Sequence, residues 1–412
     1  ERLASTIGEP NVLAADMGGT TFDVSVIRQG EPLERSTSLF QRLELALPMF
    51  DVESIGAGGG SVAWIDESGR LNVGPKSAGA DPGPACYGRG DQATTTDADV
   101  VLGLIDPEKF LGGRMRIDPE RSAAAISRIG GKLGLGLHET AAGISRIVDA
   151  KMADLIRRMS VMRGFDPRHF SCFAFGGGGP VHAAAVAREA GVARVIVPVP
   201  VNAALWSAVG AATADIVHVL QSPQTFEEPF DLEKLQSEFQ RLESQALEQL
   251  HSEGFDSACI ALTRRIRMKY AMQVHDVEVP VDPSDLEQSD PDEIIRRFGE
   301  IYENLFGAGS GFREGGVEIT GLQLRARGET EKIEFSVLDS GQLLESPASE
   351  RDIYWSEIGR PVSTPVWEMS HGQSIPALAG PALVQLPDSV VVVRPGQRAE
   401  MDVLGNIIIH TL

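Results

Sequence analysis

Four consecutive glycines, Gly176–Gly179, separate an apolar strand pattern from an alanine-rich helix pattern. Pro180 stands at the start of this helix and Gly191 follows its end, which are the preferred places of these residues at helix termini. The next segment, VARVIVPVP, predicts another strand. The order strand, helix, strand indicates a βαβ-like passage, which is the building unit of α/β folds.

A second glycine turn lies near the start of the chain, in VLAADMGGTTFDVSVI. The apolar and β-branched residues on either side predict two strands joined by a turn. Gly18 and Gly19 carry no Cβ, so an anion can approach the backbone and several N–H groups can point at it. Thr20 and Thr21 add hydroxyl donors beside the same turn. The turn therefore suits a phosphate group.

Two acidic residues, Asp16 and Asp23, flank this turn. Carboxylates repel a bare phosphate, but they can hold the water shell of Mg²⁺. The pair is therefore predicted to bind a magnesium ion that accompanies the phosphate. The alternative is a plain hairpin with solvated acidic residues, because a single glycine motif is a weak signal.

The run Gly176–Gly179 favours the interpretation as a ligand site. Close packing of a strand on a helix also uses glycine, yet each glycine costs roughly 1 kcal/mol in ordering entropy, and four exceed what packing requires. Two such loops fit a nucleotide held between them. The first turn lacks GxGxxG, and GxxxxGK[ST] does not occur, so neither a Rossmann fingerprint nor a P-loop is predicted.

The length and charge of the chain limit the possible functions. Its 412 residues are too many for one compact core, so two or three domains are expected. The formal net charge of −21 argues against nucleic acid as a main partner, because that role needs clustered Lys and Arg. A nucleotide is still compatible, since backbone N–H groups and a metal ion can hold its phosphates.

The cysteines and the hydropathy pattern indicate a cytoplasmic protein. Cys86, Cys172 and Cys259 lie far apart and form no CxxC, which favours a reducing compartment over a disulfide scaffold or a zinc ribbon. No apolar run reaches about 18 residues, so no membrane span is expected. The sequence also shows no signal-peptide pattern.

Further candidate residues each have a structural alternative. Asp97 in TTTDAD can serve a magnesium ion or act as a base, or it can cap the following helix. His182 can face a cleft beside the glycine run, or it can be a satisfied histidine of the first helical turn. Asp215 and His218 are three positions apart and can share a helix face as metal ligands or as a structural pair. Cys86 has no activating neighbour in the sequence and is expected to be a buried thiol.

Periodicity predicts the main elements. Helices are expected near Ser122 and over Thr140–Met162, where apolar residues recur every three or four positions, and a third over the alanine-rich Ala203–His218. The region Ile55–Gly90 is rich in Gly and Pro and predicts a structured loop region of the kind that carries function. Short strand patterns beyond about residue 340 predict an all-β tail.

Several of these motifs occur in a fixed order: DMGGTTFDVSVI, IGAGGGSVAWID, VGPKSAGADPGPACYGRG, TTTDADVVLG, FDPRHFSCFAFGGGGPVHAAAVA and SAVGAATADIVH. In this combination the chain resembles the hydantoinase A/oxoprolinase family over nearly its whole length, down to the tail GPALVQLPDSVVVVRPGQRAEMDVLGNIII. The resemblance implies an α/β fold of the actin/sugar-kinase/Hsp70-like ATPase type, which is ribonuclease H-like. The expected organisation is an ATPase-like lobe at 1–222, an α+β region at 223–340 and a small all-β C-terminal module at 341–412.

The resemblance also implies ATP-dependent chemistry. The expected activity is that of a hydrolase subunit that opens a cyclic amide, such as a hydantoin, 5-oxoproline or a lactam, after ATP phosphorylates the amide oxygen. One alternative is the ATP-using subunit of a ketone carboxylase of the acetone or acetophenone type, because both reactions use the same nucleotide machinery. A second alternative, from another class, is a non-catalytic scaffold that keeps the fold and docks a partner subunit.

The resemblance assigns roles to residues of this sequence. It implies ATP and Mg²⁺ as cofactors. The residue patterns described above supply Asp16 and Asp23 as the candidate metal ligands and Asp16, Asp97 and His182 as the catalytic candidates. The residues expected to bind the nucleotide are those of three glycine-rich segments: Gly18, Gly19, Thr20 and Thr21; Gly58 and Gly59; and Gly176, Gly177, Gly178 and Gly179.

The resemblance also implies partners. Full-length family members are expected to carry an N-terminal lobe with its own D-x-G-G-T-x-x-D turn, and only one such turn occurs here. We therefore expect that lobe on another chain or on a segment outside this sequence. A companion subunit of the hydantoinase B type and a small cyclic amide are the other expected partners, and neither nucleic acid nor a membrane is expected.

Overall fold

The computed structural model describes residues 1–35, 38–40, 43–45, 49–200, 202–274, 276–287, 291–335 and 342–411. The chain divides into two compact units. The first unit comprises Glu1–Ala211 and Glu334–Leu412, and the second unit comprises Ala212–Ile333. No helix in the ranges given above is long and apolar enough to cross a membrane. The predicted boundary at 340/341 lies outside the described residues.

The N-terminal part of the first unit alternates strands and helices. Its strands are β1 (Val12–Met17), β2 (Phe22–Arg28), β3 (Glu31–Pro32), β4 (Glu34–Arg35), β5 (Ser38–Phe40), β6 (Leu43–Leu45), β7 (Met49–Phe50), β8 (Val52–Ile55), β9 (Ser61–Ile65), β10 (Leu71–Ser77), β11 (Ser171–Phe175) and β12 (Arg194–Val197). Its helices are α1 (Arg2–Thr6), α2 (Thr95–Leu102), α3 (Pro119–Leu133), α4 (Leu137–Ser160), α5 (Gly179–Ala190) and α6 (Trp206–Ala212).

The second unit and the C-terminal part of the first unit follow in the sequence. The second unit contains β13 (Ile216–Ser222), β14 (Phe226–Glu227), α7 (Leu232–Ser252), β15 (Ile260–Tyr270), β16 (Val277–Val281), α8 (Pro283–Glu287), α9 (Pro291–Phe306) and β17 (Val317–Gly328). The C-terminal part contains β18 (Gln342–Leu343), β19 (Ser349–Trp355), β20 (Arg360–Glu368), β21 (Gln373–Ser374), β22 (Leu378–Ala379), β23 (Ala382–Gln385), β24 (Val390–Val393), β25 (Arg398–Met401) and β26 (Ile407–His410).

A nine-stranded mixed sheet organises the first unit. Its order is β22-β25-β26-β12-β11-β1-β2-β3, and β8 also pairs with β2. The strands β1, β11 and β12 are mutually parallel, whereas β2 and β26 run antiparallel to their neighbours. The predicted hairpin at the start of the chain is therefore present as β1 and β2, and the predicted βαβ passage as β11, α5 and β12.

Helices α4 and α5 pack together beside this sheet. In α4 the apolar residues at helical spacing, among them Ile144, Met152 and Ile156, are fully buried, as the periodicity predicts. Pro180 stands in the first turn of α5, and Gly191 ends the helix with a left-handed φ of 82°. Both termini follow the rules by which they were predicted.

The C-terminal strands do not all form a separate sheet. Strands β19, β20, β23 and β24 make a four-stranded sheet, but β25 and β26 extend the main sheet through the pairing of β26 with β12. This arrangement differs from the self-contained all-β module predicted for 341–412. The physical reason is that the hydrogen-bonding partner of the segment Ile407–His410 lies far away in sequence, which a local strand pattern cannot reveal.

The second unit is an antiparallel sheet with helices. The strand order is β13-β17-β15-β16, with β14 also paired to β17. Alternate residues of β15, such as Ile266 and Met268, are buried in the same cluster as Phe239 of α7 and Phe298 of α9. This alternation is the expected mark of a sheet with one covered face.

The helix predicted over Ala203–His218 is present only in part. The segment Ala203–His218 forms a 3₁₀ turn at Ala203–Leu205 and the short α6, and it then continues as β13. The β-branched residues Ile216 and Val217 favour a strand, and β17 supplies the ladder that pairs with them. The alanine-rich part is thus helical in α6, and tertiary pairing with β17 ends the helix before Ile216.

We expect the two units to respond separately to core mutations. Ile156→Ala should lower the free energy of unfolding of the first unit by about 2–5 kcal/mol, and Phe239→Ala that of the second by about 3–5 kcal/mol, because both side chains are fully buried. Differential scanning calorimetry would measure each transition. Val403→Ala, at a position 71% exposed, is the surface control and should leave both transitions in place.

Candidate active site

Two glycine loops meet at one edge of the main sheet. Because β1 and β11 are parallel and Asp16 is in register with Phe175, the residues that follow both strands leave the sheet on the same side. The N–H group of Gly178 donates to the carbonyl oxygen of Met17 over 3.0 Å, which joins the second loop directly to the end of β1. The two loops predicted to share a ligand are therefore neighbours.

The first loop is a tight turn. The N–H group of Gly18 donates to the carbonyl of Thr21 over 3.1 Å, while Gly19, Thr20 and Thr21 are exposed. No protein acceptor in the described chain binds the N–H group of Gly19 or Thr20. These donors remain available to an anion.

A third glycine loop lies on the first. The N–H groups of Gly59 and Gly60 donate to the carbonyls of Gly18 (3.1 Å) and Gly19 (2.7 Å). A Cβ atom on Gly58 would stand 2.7 Å from the backbone nitrogen of Thr20, a distance that no side chain tolerates. The structure thus brings Gly58 and Gly59 to the predicted phosphate turn, where they support its backbone.

The loop after β11 passes close to Asp16. A Cβ atom on Gly176 would lie 2.3 Å from Oδ1 of Asp16, and the φ of Gly176 is 82°, so only glycine fits there. Gly177 is exposed, a Cβ on it would meet nothing within 4 Å, and its N–H group has no acceptor in the described residues. Gly179 is buried as the first residue of α5. Gly176 and Gly179 are therefore packed inside the protein, whereas Gly177 is open to a ligand.

The C-terminal part of the first unit holds this second loop in place. Ser389 donates its hydroxyl to the carbonyl of Gly177 over 3.0 Å. The adjacent Asp388 accepts hydrogen bonds from Asn202 and from Arg114, the latter over 2.7 Å. No local sequence pattern indicates these positioning residues. Ser389 is 212 positions from Gly177, and no spacing rule connects residues that far apart.

The two aspartates form a cross-strand pair. Asp16 of β1 lies directly opposite Asp23 of β2. Burial raises the pKa of Asp16, a hydrogen bond from Ser207 opposes this shift, and the negative charge of Asp23 raises the pKa further. Asp23 accepts hydrogen bonds from Thr21 over 3.0 Å and from Ser54. Ser207 is another contact that the sequence did not indicate.

A magnesium ion would suit this pair of carboxylates. In the described residues there is no group of three or more His, Cys, Asp or Glu that could hold a metal ion. Mg²⁺ in phosphate-handling sites commonly has only one or two carboxylate contacts, and phosphates and waters supply the rest. Positive charge would also relieve the repulsion that raises the pKa of Asp16. Asp16 and Asp23 therefore fit a shared metal–phosphate site rather than a closed protein cage.

Asp97 has the role of a helix cap in this structure. Its carboxylate accepts hydrogen bonds from the N–H groups of Ala85, Cys86 and Thr94 and from the hydroxyl of Ser122, at 2.7–3.0 Å. With Thr94 it forms a capping box at the start of α2, and it is fully buried. The capping alternative therefore has direct geometric support, and the proposed catalytic role of Asp97 has none.

His182 is a satisfied histidine of the first turn of α5. Its Nδ1 atom lies 2.7 Å from Oδ1 of Asp149, and its Nε2 atom lies 3.2 Å from Oδ2 of Asp99. Burial lowers the pKa of His182, but the negative charges of Asp99 and Asp149 outweigh it and raise that pKa to about 10. The structure thus supports the second of the two alternatives, a buried imidazolium between two carboxylates.

The remaining candidates have structural partners. Asp215 precedes β13 and pairs with Lys332, whereas His218 lies within β13 and contacts Glu253 at 2.8 Å. Asp215 and His218 therefore do not share a helix face, so neither alternative, metal ligands or a structural pair on one helix, agrees with the structure. Cys86 is buried, and burial followed by the charge of Asp97 raises the pKa of its thiol, which agrees with the expected inert thiol.

The fold and the loops define the class of protein. The family model described as hydantoinase/oxoprolinase matches residues 1–219, and the model of the hydantoinase/oxoprolinase C-terminal domain matches residues 227–410. The chain belongs to the hydantoinase/oxoprolinase family. This confirms the family resemblance found in the sequence.

Individual relatives include enzymes of two kinds. The chain is 32% identical to the acetophenone carboxylase gamma subunit of Aromatoleum aromaticum over 100% of its length, and 30% identical to the caprolactamase subunit alpha of Pseudomonas jessenii over 97%. It spans 58% of each of these relatives. A nucleotide-free structure of acetone carboxylase superimposes with a TM-score of 0.81 at 28% identity, covering 100% of this chain and 60% of that one. The α/β architecture with mixed sheets is thereby confirmed.

We expect the stability of the first unit to depend on pH through His182. The pKa of His182 lies above its ordinary value of 6.5. The stabilisation of the fold by the charged imidazolium is therefore complete below about pH 6.5 and is lost as the pH rises through about 10. His182→Gln should lower the free energy of unfolding by about 3–5 kcal/mol at pH 6.5, because two buried carboxylates lose their counter-charge. The free energy of unfolding of this variant should also change less with pH between pH 6.5 and 9.5 than that of the parent protein.

Calorimetry of the first-unit transition across this pH range would measure the effect. His169→Gln, which changes an exposed histidine of the same unit, is the matched control and should follow the parent protein. Parallel pH curves for the parent and His182→Gln would contradict the assigned imidazolium.

Proposed function

We propose that this chain is the ATP-using part of an enzyme that opens a cyclic amide. The observation that carries the proposal is a set of N–H donors that have no acceptor among the described residues, Gly19 and Thr20 on one loop and Gly177 on the adjoining loop, with Asp16 nearby. Backbone donors of this kind bind phosphate oxygens without requiring a basic protein surface. Such a site agrees with the net charge of −21.

The loops would hold the triphosphate while the aspartates serve the metal. Gly18 and Gly19 would leave room for phosphate oxygens, and Thr20 would add a hydroxyl donor, while the hydroxyl of Thr21 donates to Asp23 and would help to orient this carboxylate. Asp16 and Asp23 would hold Mg²⁺, which neutralises phosphate charge during transfer. Ser207 would fix the orientation of the Asp16 carboxylate through its hydrogen bond. The rigid support from Gly58 and Gly176 would keep the donors in position before the ligand arrives.

The proposed reaction transfers the γ-phosphoryl group of ATP to the amide oxygen. ADP leaves, the amide nitrogen loses its proton, and the ring carbon becomes electrophilic. Water then attacks this carbon, and the C–N bond breaks as the nitrogen takes up a proton, which leaves an amine and an acyl phosphate. A second water molecule hydrolyses the acyl phosphate to the carboxylate and phosphate. Two water molecules are consumed in all, and the products are the open-chain amino acid, ADP and phosphate. The likeness to the caprolactamase subunit supports this choice of substrate class.

A ketone carboxylase is the second candidate. The likeness to the acetophenone carboxylase gamma subunit extends over the whole chain at 32% identity, and the acetone carboxylase structure superimposes equally completely. In that reaction ATP would phosphorylate an enolate or bicarbonate instead of an amide. The same loops and aspartates would bind the nucleotide in either case, so only the substrate pocket would differ.

We also propose the assembly in which the site works. The first unit would be one lobe of an actin-like ATPase, and a first lobe of the same kind would cover the nucleotide from the other side. A companion subunit of the hydantoinase B type would complete the enzyme. The relatives that are named as subunits support an assembly, and the chain spans 58% of their length, which leaves room for a further lobe in them.

Gly18→Val should abolish ATP binding and leave the fold intact. A Cβ on Gly18 would meet its nearest neighbour, the Thr21 carbonyl, at 3.9 Å, so the protein leaves room for a Cβ at this position. The branched group would instead occupy the space of the phosphate, and we expect affinity for MgATP to fall at least about 100-fold. Isothermal titration calorimetry of the assembled protein would measure the loss.

The matched control is Gly131→Val. Gly131 is an exposed residue of α3, and a Cβ added to it would meet no atom within 4 Å, so this variant changes the same residue types outside the loops. It should bind MgATP like the parent. Unchanged affinity in Gly18→Val would reject the assigned site, and no binding by the parent, alone or with its companion, would favour the scaffold alternative.

The two enzymatic candidates differ in their products. We expect the protein with its companion subunit to form ADP in the presence of hydantoin, 5-oxoproline or caprolactam, with release of the ring-opened amino acid. The control reaction replaces the amide with acetone or acetophenone and labelled bicarbonate. ADP formation with incorporation of label into an acid-stable product, and none with the amides, would establish the carboxylase instead.

A further inference from the structure

A second cleft lies away from the glycine loops, at the other end of α5. It has a volume of about 460 Å³ and lies between α4, α5 and the turns that follow β19 and β24. The residues of α5 that line it, Ala185, Arg188 and Glu189, are six to ten positions beyond Gly179, so about 9–15 Å of helix separates them from the glycine run at 1.5 Å per residue. The cleft is therefore distinct from the proposed phosphate site.

The charged groups of this cleft are unequally paired. Three acids line it, and each lies beside a cation: Glu357 binds Arg394 at 2.6 Å, Asp149 binds His182 at 2.7 Å, and Glu189 lies 4.0 Å from Arg157. Asp99 shares His182 and Asp154 shares Arg157, so these paired groups carry no excess of positive charge. Two further lining residues, Arg146 and Arg188, make no ion pair or hydrogen bond through their side chains with any residue that the structure describes.

The other walls of the cleft are rigid. The side chain of Arg394 is only 13% exposed and lies over the ring of Trp355, 5.7 Å from its centroid. Its Nε and Nη2 atoms bind Glu357, whereas its Nη1 atom has no acceptor in the described residues. Asp149 is fixed by the buried His182. The small side chain of Ala185 leaves the middle of the cleft open.

We propose that this cleft binds a small organic anion that carries two acidic groups. Arg146 and Arg188 would bind one group, and the free edge of Arg394 the other. Guanidinium groups form paired hydrogen bonds with both carboxylate and phosphate, so these are the two possible forms of the acidic groups. The volume exceeds that of a single inorganic ion and lies in the range of sites for small organic ligands.

The test uses two probes that differ in their acidic groups. Citrate supplies carboxylates and ribose 1,5-bisphosphate supplies phosphates, and isothermal titration calorimetry at constant ionic strength would measure binding of each to the full chain. We expect saturable binding of at least one probe, with affinity reduced at least about tenfold in Arg146→Gln and in Arg188→Gln. The preferred probe identifies the natural class of acidic group.

Arg158→Gln provides the matched control. Arg158 is an exposed arginine of α4 that does not line the cleft, so its loss reduces the net charge equally and should leave binding unchanged. Saturating MgATP should also leave the affinity for the probe unchanged, because the two sites are separate. The binding measurement does not require enzymatic activity, so it tests the cleft even if the proposed reaction is wrong.

Three results would overturn the proposal. The first is the absence of binding of both probes up to about 10 mM, which is weaker than any useful site. The second is binding that falls equally in all three variants, because that would reflect general surface charge rather than the cleft. The third is competition between MgATP and the probe, which would contradict a separate site.

Discussion

Parallel pairing of β1 with β11 is the constraint on which the candidate site depends. It brings the end of one strand level with the end of the other, with Asp16 beside Phe175. A parallel pair requires a long crossover between its strands, and the intervening chain supplies α2, α3 and α4. The two glycine loops consequently meet at one sheet edge although these three helices separate them in sequence.

The glycines at this edge serve two different purposes. Gly58 and Gly176 are required by the protein, because a Cβ on either would overlap a neighbouring loop or Asp16. At Gly18, Gly19 and Gly177, by contrast, the place that a Cβ would occupy is open. Open positions gain nothing for the fold from being glycine, and they lose conformational entropy on folding. Their glycines therefore support the proposal of a ligand that approaches the backbone.

Local patterns predicted the loops and the elements around them, but not their connections. The hairpin at Gly18 and Gly19 and the helix after Pro180 follow from residue types that act within a few positions. The contact of Ser207 with Asp16 spans 191 positions, and that of Ser389 with Gly177 spans 212. Contacts of this range depend on the tertiary fold, so the positioning residues could not be read from spacing.

The roles of charged residues likewise could not be predicted from local sequence. The motif TTTDAD is compatible with a helix cap or a catalytic acid at Asp97. The hydrogen bonds that Asp97 accepts from Ser122 and from the backbone of Cys86 support the cap. Likewise, nothing in the sequence near His182 indicates Asp99 or Asp149 as its partners, which lie on other helices. The predicted Asp215–His218 pair failed because β17 turns His218 into a strand residue.

The pairing of β12 with β26 has a consequence for how the protein is made. When β12 leaves the ribosome its partner has not been synthesised, because Val197 pairs with Ile407. An apolar strand edge therefore stays uncovered during much of translation, and uncovered edges recruit other strands. Sheet closure must wait for a contact of very high sequence separation, which slows folding. A nascent-chain chaperone that shields this edge would be expected to raise the yield of native protein.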